Sequence, residues 1–289
     1  MNVVKILKRS FLLALFFSAC LFAETKINDA PINHFSSNTG FDVVPFRSDG
    51  GHKLVRSPAN PGVLHAVFYD GTGSSNTYKL IYATSTNDGA SWTKRELYTI
   101  TGGGTSLDDP AIAVDSSGRV YISYGELNTG RGMLNLISGS NLLTDPITPV
   151  TVTYNTSQRV YQTDIAVDSA GYVNVAMVFV GSGDASTIPC KIMVYTGRTA
   201  NSINGGFDEY AVQETGKGFI PRLFPGSGGD LFLTFDLLEE YSITSRRLIK
   251  VYKRASGSWN TGFATINNGY SSAYRAQHPG LALDQSSNV

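Results

Sequence analysis

Polar and ionisable side chains recur in this chain just ahead of apolar runs, at intervals of roughly 55 residues. They are Arg56 with Ser57, Asp108 with Asp109, Gln162 with Thr163, Phe219 with Ile220, and Gln277 with His278, with Arg222 and Arg275 close by. Planar polar groups and an aromatic gathered in one place are what a sugar or peptide ligand needs. An arginine among them offers a two-pronged donor for a carboxylate. His278 has no serine or cysteine nucleophile specified near it, so it reads as a rim group and not as a base. A second set of carboxylates, Asp115, Asp168 and Asp284, also recurs at one repeat position. Each is followed by a Ser-rich or mixed turn instead of the Asp/Asn/Gly ladder and closing Glu of a calcium loop, which makes them turn caps. His34, His52, His65 and His278 are too scattered for a transition-metal site, and Cys190, beside the apolar run Lys191-Ile192-Met193-Val194, reads as a buried inert thiol. No metal and no cofactor is expected.

These residues need a framework that repeats, and the sequence supplies one. Pro110-Ala111-Ile112-Ala113-Val114-Asp115-Ser116-Ser117-Gly118, followed by Val120-Tyr121-Ile122-Ser123-Tyr124, recurs as Asp164-Ile165-Ala166-Val167-Asp168-Ser169-Ala170-Gly171 with Val173-Asn174-Val175-Ala176. Another copy opens at Pro279, a degenerate one runs from Pro221 to Leu233, and the stretch from Pro58 to Val67 has the same outline. Each copy reads as a strand, a tight Asp/Ser/Gly turn and a second strand. A second hairpin follows, led by Lys79-Leu80-Ile81-Tyr82-Ala83 and its counterparts beginning at Met133, Lys191 and Leu248. Four strands per repeat without helical periodicity specify an all-β fold, a β-propeller of four-stranded antiparallel blades. A two-domain β-sandwich is the weaker alternative, since it needs no such internal similarity. The blades are expected at about 51–104, 105–158, 159–216 and 217–273, with a partial one at 274–289 and a sequence incomplete at its C-terminus.

Composition fits that framework. The 289 residues carry 23 basic and 23 acidic side chains, and only 16% are charged, so no basic stripe exists for nucleic acid or an anionic membrane. Lys5, Lys8 and Arg9 before Phe11-Leu12-Leu13-Ala14-Leu15-Phe16-Phe17 lay out a secretory signal peptide over 1–23, followed by an extension over 24–50. Phe17-Ser18-Ala19-Cys20 also resembles a bacterial lipobox, which would leave Cys20 lipidated. The expected location is therefore extracytoplasmic, secreted, periplasmic or surface-anchored. No transmembrane helix is expected, and membrane attachment would come through Cys20 alone.

The turn Ser85-Thr86-Asn87-Asp88-Gly89-Ala90-Ser91-Trp92 resembles the Asp-box, or BNR repeat, of sialidases and their propeller relatives, with Asn87 at the usual Asp. In it Ser85, Asn87 and Ser91 bond turn backbone, Gly89 supplies positive φ and Trp92 packs beneath the hairpin. Ser202-Ile203-Asn204-Gly205-Gly206 and Ser256-Gly257-Ser258-Trp259 look like eroded copies. The resemblance spans roughly residues 50–289 and implies a sialidase-like propeller. Sialidases grip a carboxylate with three arginines, use a tyrosine nucleophile activated by Glu and an Asp acid/base. By that resemblance Arg56, in Val55-Arg56-Ser57-Pro58, matches the first arginine, and Asp70 the acid/base. The loop carrying Asp70 lacks the arginine expected there, and Glu240 and Tyr241, adjacent on a strand, would face opposite ways. The reading is an exported recognition module for a glycan. Its alternative is an exo-sialidase or related glycoside hydrolase, and the third option is a repeat scaffold for protein partners.

Overall fold

The computed structural model describes residues 52–72, 77–128, 131–155, 158–181, 190–212, 214, 217–238, 247–267 and 281. Among the described residues, sixteen strands form four sheets. The first holds β1 (Leu54–Arg56), β2 (Leu64–Thr72), β3 (Thr77–Ser85) and β4 (Thr93–Thr101), and the second β5 (Ser106–Val114), β6 (Val120–Asn128), β7 (Arg131–Gly139) and β8 (Val150–Asn155). The third holds β9 (Gln158–Val167), β10 (Val173–Gly181), β11 (Cys190–Gly197) and β12 (Phe207–Ala211), and the fourth β13 (Lys217–Pro225), β14 (Leu231–Leu238), β15 (Arg247–Ala255) and β16 (Ser258–Asn267). Within each sheet the strands pair antiparallel in chain order, the meander of a propeller blade.

Strand alternation sends successive residues to opposite faces, and here both faces are covered. Val67 and Leu80 of the first blade pack with Ile112, Ile122 and Ile137 of the second. Tyr121 and Leu134 of the second meet Val175 and Met177 of the third, and Val178 and Ile192 of the third meet Leu233 and Phe235 of the fourth. Ala66 and Phe68, on the other face of β2, pack with Trp92. Each such aliphatic or aromatic side chain contributes about 1.5–3 kcal/mol by leaving water. Inter-blade burial of this kind explains the low charge content. Cys190 is among the buried side chains.

The β1–β2 connection departs from expectation. The proline alignment makes Pro58 the counterpart of Pro110, but the chain turns at residues 58–62, where Ser57 N donates to Val63 O and Val63 N to Asn60 O. Asn60, Pro61 and Gly62 are turn formers, and they end β1 at Arg56. Lys53 O accepts from Val67 N, three residues into β2. Ala111, Asp164 and Arg222 pair with Ser123, Ala176 and Thr234, each three residues into its own second strand. Lys53 is therefore the first-blade counterpart of Ala111, Asp164 and Arg222, and His52 is the counterpart of Pro110.

Candidate functional site on the propeller axis

Three of the four inner strands break their ladder at the same place. The register slips between Asp108 and Ala111, between Tyr161 and Asp164, and between Phe219 and Arg222. At each slip one residue has positive φ: Asp109 at 25°, Gln162 at 51° and Ile220 at 53°. A left-handed β-branched residue is costly, and bulges of this kind re-aim the side chains beside them. Adjacent strand residues normally point apart, yet here the carboxyls of Asp108 and Asp109 lie close enough for each to feel the other's charge. Burial, and next the charge of Asp109, push Asp108 well above the usual carboxylate range. Gly125, the ladder partner of Asp108, makes room: a Cβ there would lie 2.8 Å from Val160 O and 3.3 Å from Asp108 Cβ.

One level along, the axis is filled by a polar knot. His52 donates its backbone N–H to Asp164 Oδ1 at 2.9 Å, and its Nδ1 lies 3.0 Å from the same oxygen. Asp164 Oδ2 accepts from Leu223 N at 2.7 Å, and the whole residue is buried. The His52 ring meets Phe224 edge-on at 5.7 Å, and its carbonyl accepts from Ile112 N. One dipeptide ahead of β1 thus ties the first blade to the other three. Lys53 donates its ammonium to Pro110 O. Gln162 Oε1 accepts from Ile220 N, and Thr163 Oγ1 donates to Asp109 O.

The charges settle one another. Asp164 raises the His52 pKa above its ordinary value, by its charge first and its hydrogen bond second. Burial pushes Asp164 up, but His52, Arg222 and the Leu223 N–H together outweigh it and hold the carboxyl below the usual range. Burial pulls the Lys53 ammonium down, against the opposing pull of Asp109, Asp164 and Asp108. The field of Asp108 and Asp109 also reaches Tyr161, whose phenol is raised mainly by burial and whose hydroxyl accepts from Arg159 at 3.0 Å. The arrangement is a pair of adjacent carboxyls, Asp109 buried and Asp108 partly so, with burial favouring the neutral form of Asp108, flanked by cations and by Tyr161.

The other sequence-derived residues fall elsewhere. Arg56, at the far end of β1, pairs with Leu64 and bonds the exposed Asp88 and Pro61 O, away from the bulges. Asp70 stands near the end of β2, opposite Lys79 in the ladder and at the point matched by the buried Glu126 of β6. Asp108, Asp109 and Gln162 do share the bulge level, and Arg222 lies one level along beside Asp164, whereas Arg275 and His278 lie outside the described residues, as do Cys20, the segment 1–23 and all of the partial repeat beyond 273 but Leu281. Sequence reasoning missed Lys53, and it took His52 as isolated. The usable signal was the length of each strand–turn–strand unit, which the recurrent prolines obscured.

The turn carboxylates Asp115 and Asp168 behave as caps, and Asp284 lies outside the described residues. Asp115 Oδ1 accepts from Ser117 N and Arg119 N, and Asp168 Oδ1 from Ala170 N and Tyr172 N. Ser85 Oγ accepts from Gly89 N at 2.8 Å and Asn87 Oδ1 from Ser91 N at 2.9 Å, with Gly89 at φ 90°. Among the described residues no group of three or more His, Cys, Asp or Glu is placed to hold a metal, and no helix is long and apolar enough to cross a membrane.

No protein-family model matches the chain, and no curated protein sequence matches it. Solved structures do. A protein of unknown function from Dyadobacter fermentans superposes with a TM-score of 0.51 at 12% identity, over 79% of this chain and 71% of that one. An α-L-arabinanase from Penicillium chrysogenum, complexed with arabinobiose, gives 0.50 at 11% identity, over 69% of this chain and 70% of that one. An endo-arabinase from Bacteroides thetaiotaomicron gives 0.47 at 14%, over 78% and 84%. The first two share the β-propeller fold with this chain. Neither singles out the Asp-box sialidase branch.

Proposed function

We propose that this chain is an exported glycan-recognition propeller whose ligand seats on the bulged ends of β5, β9 and β13. The observation that carries the reading is the adjacent Asp108 and Asp109 carboxyls beside Tyr161, where carboxyl oxygens and an aromatic ring can meet sugar hydroxyls and C–H faces. The arabinanase resolved with arabinobiose lends the shared fold a glycan precedent. A glycan array followed by calorimetry tests it: Asp108→Asn and Tyr161→Ala should each weaken the best ligand by about tenfold or more. An array that stays blank over varied salt and pH refutes it.

A second reading, glycoside hydrolysis, is favoured by one feature. A carboxyl that burial holds toward its neutral form, as at Asp108, is suited to general acid work. If Asp108 donates the proton, a neutral aryl-glycoside reporter is turned over with a pH profile falling as Asp108 ionises, and Asp108→Asn removes most of the rate. The sialidase form of this reading draws on the resemblance at Ser85 to Trp92, and it predicts loss of sialoside turnover in Arg56→Ala and Asp70→Ala. Arg56 stands apart from the carboxyl pair, so the neutral-glycoside form has the better support.

A further inference from the structure

A groove of about 280 Å³ lies between the outer strand of the second blade and the third blade, remote in the fold from the axial knot. Its walls are Val152 and Thr153 of β8, Phe207 and Glu209 of β12, and Asn204 from the turn between β11 and β12, and its floor is Tyr195 of β11. That volume sits near the lower end of small-ligand sites. β8 is an edge strand, and its ladder slips there: Thr153 pairs with Leu134 and Thr151 with Asn135, so Val152 is the extra residue of a bulge. Bulges on sheet edges commonly accompany binding sites because they splay the strand from its neighbour.

The floor holds an unsatisfied group. Tyr195 is 3% exposed and its hydroxyl is buried without a hydrogen-bond partner. Thr153 and Glu209 stand close to it, and Glu209 is its cross-strand neighbour, but neither makes a bond of proper geometry. A buried hydroxyl left in this state is destabilising, which a ligand hydroxyl would relieve. Burial and the nearby Glu209 push the phenol up to about 12, so it stays a donor at any physiological pH.

The lining selects the ligand. It contains Thr, Asn and Tyr groups that donate and accept, one exposed carboxylate, the faces of Phe207 and Ile203, and no lysine or arginine. Arg198, whose guanidinium lies beside Gly206 of the lining, is already paired with Asp208 at 2.7 Å, so an anionic ligand finds no free counter-charge, whereas a sugar presents hydroxyls to the polar groups and C–H bonds to the ring. We infer that the groove between β8 and β12 is a peripheral binding site for a neutral saccharide, separate from the axial site.

The test uses the full chain and calorimetry with cellobiose, xylobiose, lactose and arabinobiose, with galacturonic acid as the anionic comparison. At least one neutral disaccharide should bind and galacturonic acid should not. Tyr195→Phe should weaken that binding about tenfold and Glu209→Gln severalfold. Because the hydroxyl has no partner in the free protein, Tyr195→Phe should leave Tm unchanged or higher, which a merely structural tyrosine would not do. Lys79→Ala, which removes only an exposed pair with Glu96 in the first blade, should leave the same binding intact. The inference is overturned if none of the four disaccharides binds, if binding survives both groove variants, or if it vanishes only in Asp108→Asn.

Discussion

The inner strands carry aspartates at both ends, and the two ends treat the same side chain in opposite ways. At the turn end, Asp115 and Asp168 fold back on their own backbone, and each Oδ1 accepts N–H groups two and four residues on. At the axial end, Asp108, Asp109 and Asp164 sit on or beside bulges and reach other side chains and other blades. A tight turn spends one carboxylate oxygen on local N–H groups, whereas beside a bulge both oxygens of Asp164 reach other blades. Composition does not distinguish the two. Backbone conformation does.

The most damaging change belongs to the turn end. Asp168 Oδ2 pairs at 3.0 Å with Arg254, a residue of the fourth blade that is 8% exposed and also bonds Asn174 and Thr196. Asp168→Ala removes the cap and strands a buried guanidinium, so chemical denaturation should register a loss of about 3–5 kcal/mol. A loss below about 1 kcal/mol would mean that the turn carboxylates are dispensable.

Asp164→Asn probes the axial end. The amide must turn its nitrogen either to Leu223 N–H or to the His52 donors, donor against donor, and the expected cost is about 1.5–3 kcal/mol. It should also change the pH dependence. His52 has a raised pKa in the folded protein, so its bonus is fully present below its unfolded value of 6.5 and fades as pH rises through the raised value. Asp164 has a lowered one, so its bonus is present above 3.8 and fades as pH falls from there. Stability curves should show both declines in the native chain and lose them in the variant. A native curve flat from just below 6.5 upward breaks the assignment.

Gly125→Ala tests the space under the carboxyl pair. The added methyl collides with Val160 O, and a shift of β5 or β9 should cost about 1–3 kcal/mol and weaken axial ligands in the same calorimetric assay. Smallest of all should be Arg56→Ala. Its pairing with Asp88 is between side chains 52% and 66% exposed, which limits the loss to under about 1 kcal/mol, with axial binding unchanged.

The fold was legible because its physics is periodic: apolar alternation, turn residues and a constant repeat return at every blade. The run from Ser85 to Trp92 was legible too, since its bonds join residues within a few positions of one another. The axial site was legible in part. Asp108, Asp109, Gln162 and Arg222 stand where the repeat puts them, but nothing local in the sequence reports that Asp109 adopts positive φ and turns toward Asp108. Proline was the misleading marker in the first blade, where Pro58 serves a turn while His52 takes the inner-strand position. Lys53 and His52 gain their meaning from partners 57 and 112 residues away, beyond any spacing rule.

Lys53, Ala111, Asp164 and Arg222 occupy one level of four successive blades, and this has a consequence for anything that enters along the axis. The backbone there is close to rotationally symmetric, but the chemistry is not. A step from blade to blade exchanges an ammonium for a methyl, the methyl for a carboxylate and the carboxylate for a guanidinium. A guest turned by one blade would meet the wrong group at every contact. The repeat thus builds a ring with a single keyed orientation, and Ala111, wholly buried in the core between the second and third blades, is the tooth that cannot be enlarged without disturbing the frame.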